Sequence, residues 1–437
     1  MKQRTAIWIG IIAGLVLLGA LAQIYRICRT EMLRGQAEEL AEAGAYASAK
    51  EIYDRIGDLG NAAHCKDLLK ETIYLDGIQL LQAGDYDRAQ HQFSSVGSYK
   101  EAAALIAACG WQEALALGDR GKLMEAHHGF QVLGEAPGCQ DAQEQISRQL
   151  FRQAEELAEA FKLEEACELW EELGSYEGSA LLLRRGQRAL SWASAPEEQR
   201  LLTRENCYLS KTLKNVYVCE QAYIVVPEEL DSETCFFIYY PGGRDDEMSV
   251  DYLLYYMMNP SPNTMAVFLR RNGLEHMRDK TCQAIDLLEQ AAAECGVFVR
   301  ELVVAGSSLG AYPAMHSVVY AYEEYGIRTD CVLSLDAGSD WLETPLLLDE
   351  SECRETAQLG TEFYLFESPW VGMNREGIRL MVNTGNKVTM VGCTFDDHVR
   401  ISLDAMGMGV VDWAMGDRTQ QCNPEIYSFT RLEPDEG

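Results

Sequence analysis

Residues 301–325 constrain the fold more than any other part of this sequence, because three elements follow one another there without a gap. The apolar and β-branched run E-L-V-V at 301–304 predicts a buried strand. It leads into G-S-S-L-G at 306–310, and the stretch rich in Ala, Met, Tyr and Glu at 311–325 predicts a helix. Glycines on both sides of Ser308 let the strand and the helix approach closely and hold the serine hydroxyl clear of the sheet. A strand, a G-x-S-x-G turn and a helix are the context of a nucleophile elbow.

This elbow lies within a longer alternation of short strands and helices that begins near residue 206. Apolar, β-branched and aromatic runs bounded by turn residues predict strands at 216–219, 223–226, 235–240, 264–269, 331–335, 362–366 and 387–392. A final helix is predicted at 399–415. Strands that alternate with helices predict a mostly parallel sheet covered by helices on both faces.

A different pattern, a helical repeat, occupies residues 27–190. An alanine is followed four residues later by an aromatic residue and four residues after that by a glycine, in four copies spaced 40, 37 and 40 residues apart. The copies are Ala49/Tyr53/Gly57, Ala89/Phe93/Gly97, Ala126/Phe130/Gly134 and Ala166/Trp170/Gly174. The alanine and the aromatic residue share one helix face, and the glycine suits a helix C-terminus. Helical hairpins of this kind bury their apolar faces by stacking into an all-α solenoid.

The repeat resembles the tetratricopeptide-like repeats, most clearly in G-D-Y-D-R-A at 84–89. It departs from them in its longer period and in having no proline at the end of each repeat. The resemblance implies a surface for a protein partner, and a plain helical spacer is the alternative. Residues 191–205, which include S-W-A-S-A-P-E-E-Q-R, interrupt the repeat and predict a linker to the domain at 206–437.

Residues 1–26 predict a membrane anchor. After the basic M-K-Q-R, residues 5–25 carry no charged side chain and are mostly apolar, which is the length of a transmembrane helix. A short basic tail before a single span usually stays in the cytoplasm, which predicts a cell-membrane protein whose following domains lie outside the cytoplasm. Arg26 and Arg29 on the other side of the span make the distribution of positive charge nearly even. The run A-L-A that ends at Ala22 also resembles a signal-peptide cleavage site, so a secreted form is the alternative.

Charge and cysteine content exclude several classes of function. The net charge of −31 would repel a nucleic-acid backbone, and no Lys/Arg-rich run counters it locally, so we expect no nucleic-acid partner. The 14 cysteines form no C-x-x-C pair, which gives no support for a zinc or thioredoxin-type site. We therefore expect buried thiols, no metal and no organic cofactor.

The domain at 206–437 resembles the α/β-hydrolases. Gly-Gly follows an early strand, G-x-S-x-G lies in the middle of the domain, and a histidine follows the last strand. The resemblance implies that Ser308 is the nucleophile and that His398 is the base that accepts its proton. Among the seven histidines, His276 and His316 fit this role less well, because each lies in a predicted helix.

The acid that completes the family's triad has two candidates. The usual position follows the strand that ends at Phe366, where E-S-P-W contains no aspartate and offers only Glu367. Some members use an aspartate after the preceding strand, which here is Asp336. We rank Asp336 first, although it could instead cap a turn. Either acid would hold the imidazole in the required tautomer.

The same resemblance implies an oxyanion hole of two backbone N–H groups that face the negative charge developing on the substrate. One would come from Leu309, the residue after the nucleophile. The other would come from Gly243 or Arg244 in P-G-G-R, where the glycines let the backbone face the substrate.

These features predict a membrane-anchored serine hydrolase, with esterase action on a small ester or acylated substrate as the leading interpretation. The expected fold is an N-terminal transmembrane helix, an all-α tetratricopeptide-like solenoid and a C-terminal α/β-hydrolase fold with a mostly parallel sheet. The alternative is a binding or scaffold protein, in which the repeats recruit a partner and the hydrolase fold is inactive. The lack of an aspartate at the usual acid position keeps that alternative open.

Overall fold

A computed structural model of the 437-residue chain describes sixteen stretches of the sequence. They are residues 2–43, 45–57, 62–134, 139–204, 206–207, 215–228, 230–231, 233–242, 246–258, 262–271, 276–337, 348–368, 375–394, 398–407, 409–416 and 418–434. The chain divides into two compact units, Met1–Gln149 and Leu150–Gly437.

The first unit is built of helices, and consecutive helices from the first to the sixth pack against one another. They are α1 (Lys2–Glu42), α2 (Tyr46–Gly57), α3 (Ala62–Gln82), α4 (Tyr86–Val96), α5 (Ala102–Asp119), α6 (Leu123–Leu133) and α7 (Cys139–Glu159), the last of which runs into the second unit. The second unit then continues with α8 (Leu163–Leu173) and α9 (Ser179–Ala193).

The repeated alanines and aromatic residues lie where the sequence pattern predicts, in the interior between helices. In all four copies both side chains are at most 2% exposed. The glycines that follow α4, α6 and α8 have φ angles of 63°, 62° and 61°, a region that glycine enters without a steric penalty. These glycines are Gly97, Gly134 and Gly174. The predicted helical repeat is therefore confirmed in the packing of all four copies and in the left-handed glycine at the helix end of three of them.

The second unit contains a single nine-stranded sheet in the order β1-β2-β4-β3-β5-β6-β7-β8-β9. The strands are β1 (Val216–Val218), β2 (Ala222–Val225), β3 (Cys235–Tyr240), β4 (Thr264–Leu269), β5 (Glu301–Ser307), β6 (Arg328–Leu335), β7 (Glu362–Glu367), β8 (Lys387–Cys393) and β9 (Tyr427–Arg431). The neighbouring strands from β4 to β8 are parallel, while β1, β2 and β9 pair antiparallel at the two edges. The predicted mostly parallel sheet is confirmed, and β9 is an additional strand.

Helices cover both faces of this sheet. They are α10 (Asp246–Tyr256), α11 (Met277–Glu294), α12 (Ala311–Tyr325), α13 (Glu350–Leu359), α14 (Arg375–Asn383), α15 (His398–Gly407) and α16 (Val410–Met415). Buried side chains of α11 to α14 form the core on one face, and those of α10, α15 and α16 form the core on the other. The single helix predicted at 399–415 is two helices, with Gly409 in the left-handed region at the start of α16.

The helix α9 packs against α11 within the second unit, through a buried ion pair. Arg185 Nε donates to Glu289 Oε1 over 2.5 Å, and the two side chains are 3% and 4% exposed. The guanidinium also binds the carbonyl of Val299 and lies over the ring of Phe298 at 4.7 Å. The helices α8 and α9 thus belong to the same unit as the sheet. The sequence pattern instead assigns them to the repeats and predicts a linker at 191–205.

The N-terminal apolar segment forms the first half of α1. From Leu15 to Arg29 every side chain is exposed, and the large apolar ones among them are 55–67% exposed. In the part of the chain that the structure describes, no helix is long and apolar enough to cross a membrane. The side chains of residues 1–14, which include the first part of the predicted span, lie outside that part.

Candidate active site

The predicted elbow is a sharp turn between β5 and α12. Residues Ser308–Gly310 form one 3-10 turn, and Ser308 has a φ of 50°, in the left-handed region that a serine rarely adopts. A Cβ built on Gly306 would lie 2.1 Å from the Gly310 carbonyl oxygen, and one built on Gly310 would lie 2.2 Å from the Tyr240 carbonyl oxygen. Both glycines of the motif are therefore required by backbone contacts.

The segment after β3 also touches the elbow. Tyr240 pairs with Gly306 in the parallel ladder, and a Cβ built on Gly242 would lie 2.9 Å from the Ser307 carbonyl oxygen. It would lie 3.1 Å from the Cβ of Ser308. Gly242 therefore lies beside the predicted nucleophile. Gly243 and Arg244, the predicted oxyanion donors of this loop, lie outside the described residues. Leu309, the other predicted donor, is the second residue of the turn.

Asp336 follows β6 at the same edge of the sheet. Ser307 is paired with Leu335 at the ends of two adjacent parallel strands, and neighbouring strands lie about 5 Å apart. Ser308 and Asp336 are the residues that directly follow these two strand ends. The carboxyl group is fully buried, and Asp336 has a φ of 53°. Its Oδ1 accepts the backbone N–H of Ser368 over 2.9 Å, and its own N–H donates to the Phe366 carbonyl over 2.9 Å.

The predicted base follows the end of β8. Cys393 ends β8, five residues before His398. In the sheet, β7 lies between β8 and β6, the strand that Asp336 follows. Burial, with a further contribution from the Asp336 charge, raises the pKa of the Cys393 thiol to about 12.

Glu367, the alternative acid, is engaged elsewhere. It ends β7, and both of its carboxylate oxygens accept from one guanidinium nitrogen of Arg375 at 2.6 Å. An exposed arginine thus holds a carboxylate that is itself 19% exposed. A triad acid must instead direct one oxygen at an imidazole in a protected site. Asp336 and Glu367 thus differ in that Asp336 is fully buried and Glu367 is held in an ion pair.

His398 is the first residue of α15, and its side chain lies outside the described residues. The helix itself is placed beside the elbow, because Ser402, one turn further on, accepts a hydrogen bond from Ser307 Oγ over 2.5 Å. The other two histidines considered from sequence are placed differently. His276 precedes α11, and the ring Nδ1 of His316, on α12, lies 2.8 Å from Glu352 Oε1.

The hydroxyl groups packed behind the elbow were not predicted from the sequence. Tyr252 OH lies 3.1 Å from Ser307 Oγ, which in turn donates to Ser402 Oγ, and all three side chains are buried. Ser307 is a variable position of G-x-S-x-G, and its two partners are 55 and 95 residues away in the chain. Among the described residues, no group of His, Cys, Asp and Glu side chains could hold a metal ion.

No family model matches the chain, and no curated protein matches it either. Among solved structures, the crystal structure of ESTFA in an Fe-lacking apo form is similar at 11% identity and a TM-score of 0.31, covering 59% of this chain and 96% of that chain. LpoA of Haemophilus influenzae is similar at 10% identity and a TM-score of 0.16, covering 88% of this chain and 86% of that chain. At these scores neither similarity carries an argument about fold or function.

Proposed function

We propose that residues 206–437 form an α/β-hydrolase domain that acts as a serine esterase. The observation that carries the proposal is the conformation of Ser308 in a turn closed by two sterically required glycines. A left-handed serine is strained by roughly 1–3 kcal/mol, and such strain is concentrated at functional sites. The candidate residues also follow the order nucleophile, acid, histidine that is found in α/β-hydrolases.

In the proposed reaction, Ser308 Oγ attacks the carbonyl carbon of an ester while His398 accepts the hydroxyl proton. Asp336 holds the imidazole tautomer and stabilises the imidazolium. The oxyanion accepts hydrogen bonds from the N–H of Leu309 and from that of Gly243 or Arg244. When the tetrahedral intermediate collapses, the alcohol leaves with the proton from His398 and an acyl-enzyme remains. Water, deprotonated by His398, then releases the acid and restores Ser308.

The assignment is tested by turnover of a simple activated ester. Ser308→Ala and His398→Ala should each remove nearly all activity, and the double variant should be little worse than either single variant, because residues that act as a unit have non-additive effects. Ser334→Ala is the matched control, since Ser334 is also fully buried and lies on the adjacent strand β6. Undiminished turnover in Ser308→Ala would reject the proposal and favour the scaffold alternative.

We further propose that residues 1–26 anchor the chain in a cell membrane, with the following domains outside the cytoplasm. The exposed apolar side chains from Leu15 to Ile27 support this, because a soluble helix seldom exposes such side chains on every side. The protein should fractionate with membranes, and protease added to intact cells should digest the second unit. Protection of that unit would reverse the orientation, and a mature N-terminus at Gln23 would indicate the secreted form.

We also propose that the repeats bind a protein partner. Their pattern of buried alanines and aromatic residues supports a stacked helical array, and such arrays present extended binding surfaces. Crosslinking of the full chain in membranes, compared with a chain that lacks residues 27–149, tests this. An identical set of crosslinked proteins would favour the plain helical spacer.

A further inference from the structure

Three buried hydroxyl groups form a continuous hydrogen-bonded chain behind the elbow, which we call the hydroxyl chain: Tyr252, Ser307 and Ser402. Tyr252 OH lies 3.1 Å from Ser307 Oγ, and Ser307 Oγ donates to Ser402 Oγ over 2.5 Å. The three residues are at most 1% exposed. Since a hydroxyl has one proton and that of Ser307 goes to Ser402, Tyr252 must be the donor to Ser307.

The hydroxyl chain links the three segments that contribute to the proposed site. Tyr252 lies on α10, the helix that follows the loop with Gly243. Ser307 is the last residue of β5, directly before the nucleophile. Ser402 lies on α15, four residues after the first residue of that helix, and residues four apart share one helix face.

Packing alone does not explain hydroxyl groups at these positions. The surrounding core on this sheet face consists mainly of apolar side chains, such as Val303 and Ala305 of the same strand, together with buried tyrosines. A buried hydroxyl is costly unless it is hydrogen-bonded, so alanine and phenylalanine would fill this space with less risk to stability. What hydrogen bonds add is a fixed distance and direction between the elements that carry them.

We propose that the hydroxyl chain positions the base relative to the nucleophile, so that Tyr252, Ser307 and Ser402 are positioning residues. The inference rests on the proposed function of Ser308 and His398. Ser402 lies one turn after His398, the first residue of α15. The hydrogen bond from Ser307 therefore ties that helix, close to its first turn, to the residue next to the nucleophile.

The direct test is Ser402→Ala in the full chain, assayed on an activated ester and with a fluorophosphonate. We expect kcat to fall roughly 10- to 100-fold, because a displacement of about 1 Å between reacting groups has that effect, while KM changes less than about twofold. The rate of fluorophosphonate labelling should fall by the same factor as kcat. Ser334→Ala is again the control, because its fully buried hydroxyl has no partner among the described residues.

A second pair of variants separates positioning from stability. Ser307→Ala should lower kcat at least as much as Ser402→Ala, because it removes both hydrogen bonds of the hydroxyl chain. The double variant should be no worse than Ser307→Ala alone, since Ser402→Ala removes only a hydrogen bond that is already lost. Additive losses would overturn the proposal. If Ser402→Ala does not fold, Tyr252→Phe keeps the ring, removes the donor and should lower kcat at unchanged KM.

The outcomes also distinguish this inference from the proposed function. If the wild-type protein neither hydrolyses the ester nor reacts with the fluorophosphonate, the proposed function fails and the positioning role fails with it. If the wild-type protein reacts and Ser402→Ala keeps its kcat and its labelling rate, only the positioning role is overturned. A lowered melting temperature with unchanged kcat would show that the hydroxyl chain serves stability alone.

Discussion

The buried ion pair between α9 and α11 allows a quantitative prediction about the second unit. Glu289→Gln keeps the shape of the side chain but leaves the charge of Arg185, which is 3% exposed, without its nearest counter-ion. Breaking a buried pair on one side costs about 3–5 kcal/mol. Because the glutamine oxygen can still accept from Arg185 Nε, we expect the lower end, about 3 kcal/mol.

For a unit of this size, a loss of about 3 kcal/mol corresponds to a fall in melting temperature of roughly 6–12 °C. Differential scanning calorimetry of the full chain measures this shift. Glu324→Gln is the control, since Glu324 pairs with Arg278 in the same chemical arrangement but both side chains are nearly half exposed, and it should cost less than about 1 kcal/mol. If both variants melt alike, α9 is not an integral part of the second unit and the reasoning is refuted.

Two further substitutions test the packing of the repeats and the contact between His316 on α12 and Glu352 on α13. Ala89→Leu should destabilise the first unit by about 1–3 kcal/mol because the site is fully buried, whereas Ala103→Leu, at an exposed position of α5, should have little effect on urea unfolding. Burial would raise the pKa of the Glu352 carboxyl, but hydrogen bonds from His316 and from the Asp349 N–H lower it overall. Because its pKa is lower in the folded state, the Glu352 carboxylate stabilises the fold at pH values above its ordinary pKa of 4.5. This stabilisation is lost as the pH falls through the folded-state pKa. Glu352→Gln should therefore lower the urea midpoint at pH 7, and its difference from the wild-type protein should shrink below pH 4; an unchanged difference would contradict this.

The parts of the fold that sequence could predict are those encoded by local patterns. Apolar runs of strand length placed β3 to β8 in order, and the alternation with helices correctly implied a parallel sheet. The i, i+4 alanine and aromatic pairs placed the interior of the repeats, because these contacts are made between neighbouring helices. β9 was missed because Y-S-F-T-R alternates polar and aromatic residues and is not an apolar run.

The parts that sequence could not predict depend on contacts between distant residues. Arg185 and Glu289 are 104 residues apart, and each has the character of an ordinary charge on an amphipathic helix. Ser307 and Ser402 are 95 residues apart, and neither belongs to a recognised motif position. Asp336 and Glu367 each follow or end a strand, and sequence alone offers no physical reason to rank one above the other. The reason comes from the structure, in which Asp336 is buried and Glu367 forms an ion pair with Arg375.

The most direct test of the central claim is mass spectrometric mapping of fluorophosphonate labelling on the full chain. An activated serine is required for this reaction, because a free serine hydroxyl is too weak a nucleophile. The account predicts one labelled peptide, modified at Ser308, with labelling strongly slowed in Asp336→Asn and nearly unchanged in Glu367→Gln. Exchange of those two results would move the acid to Glu367. Absence of labelling at Ser308 in the folded wild-type protein would contradict the account.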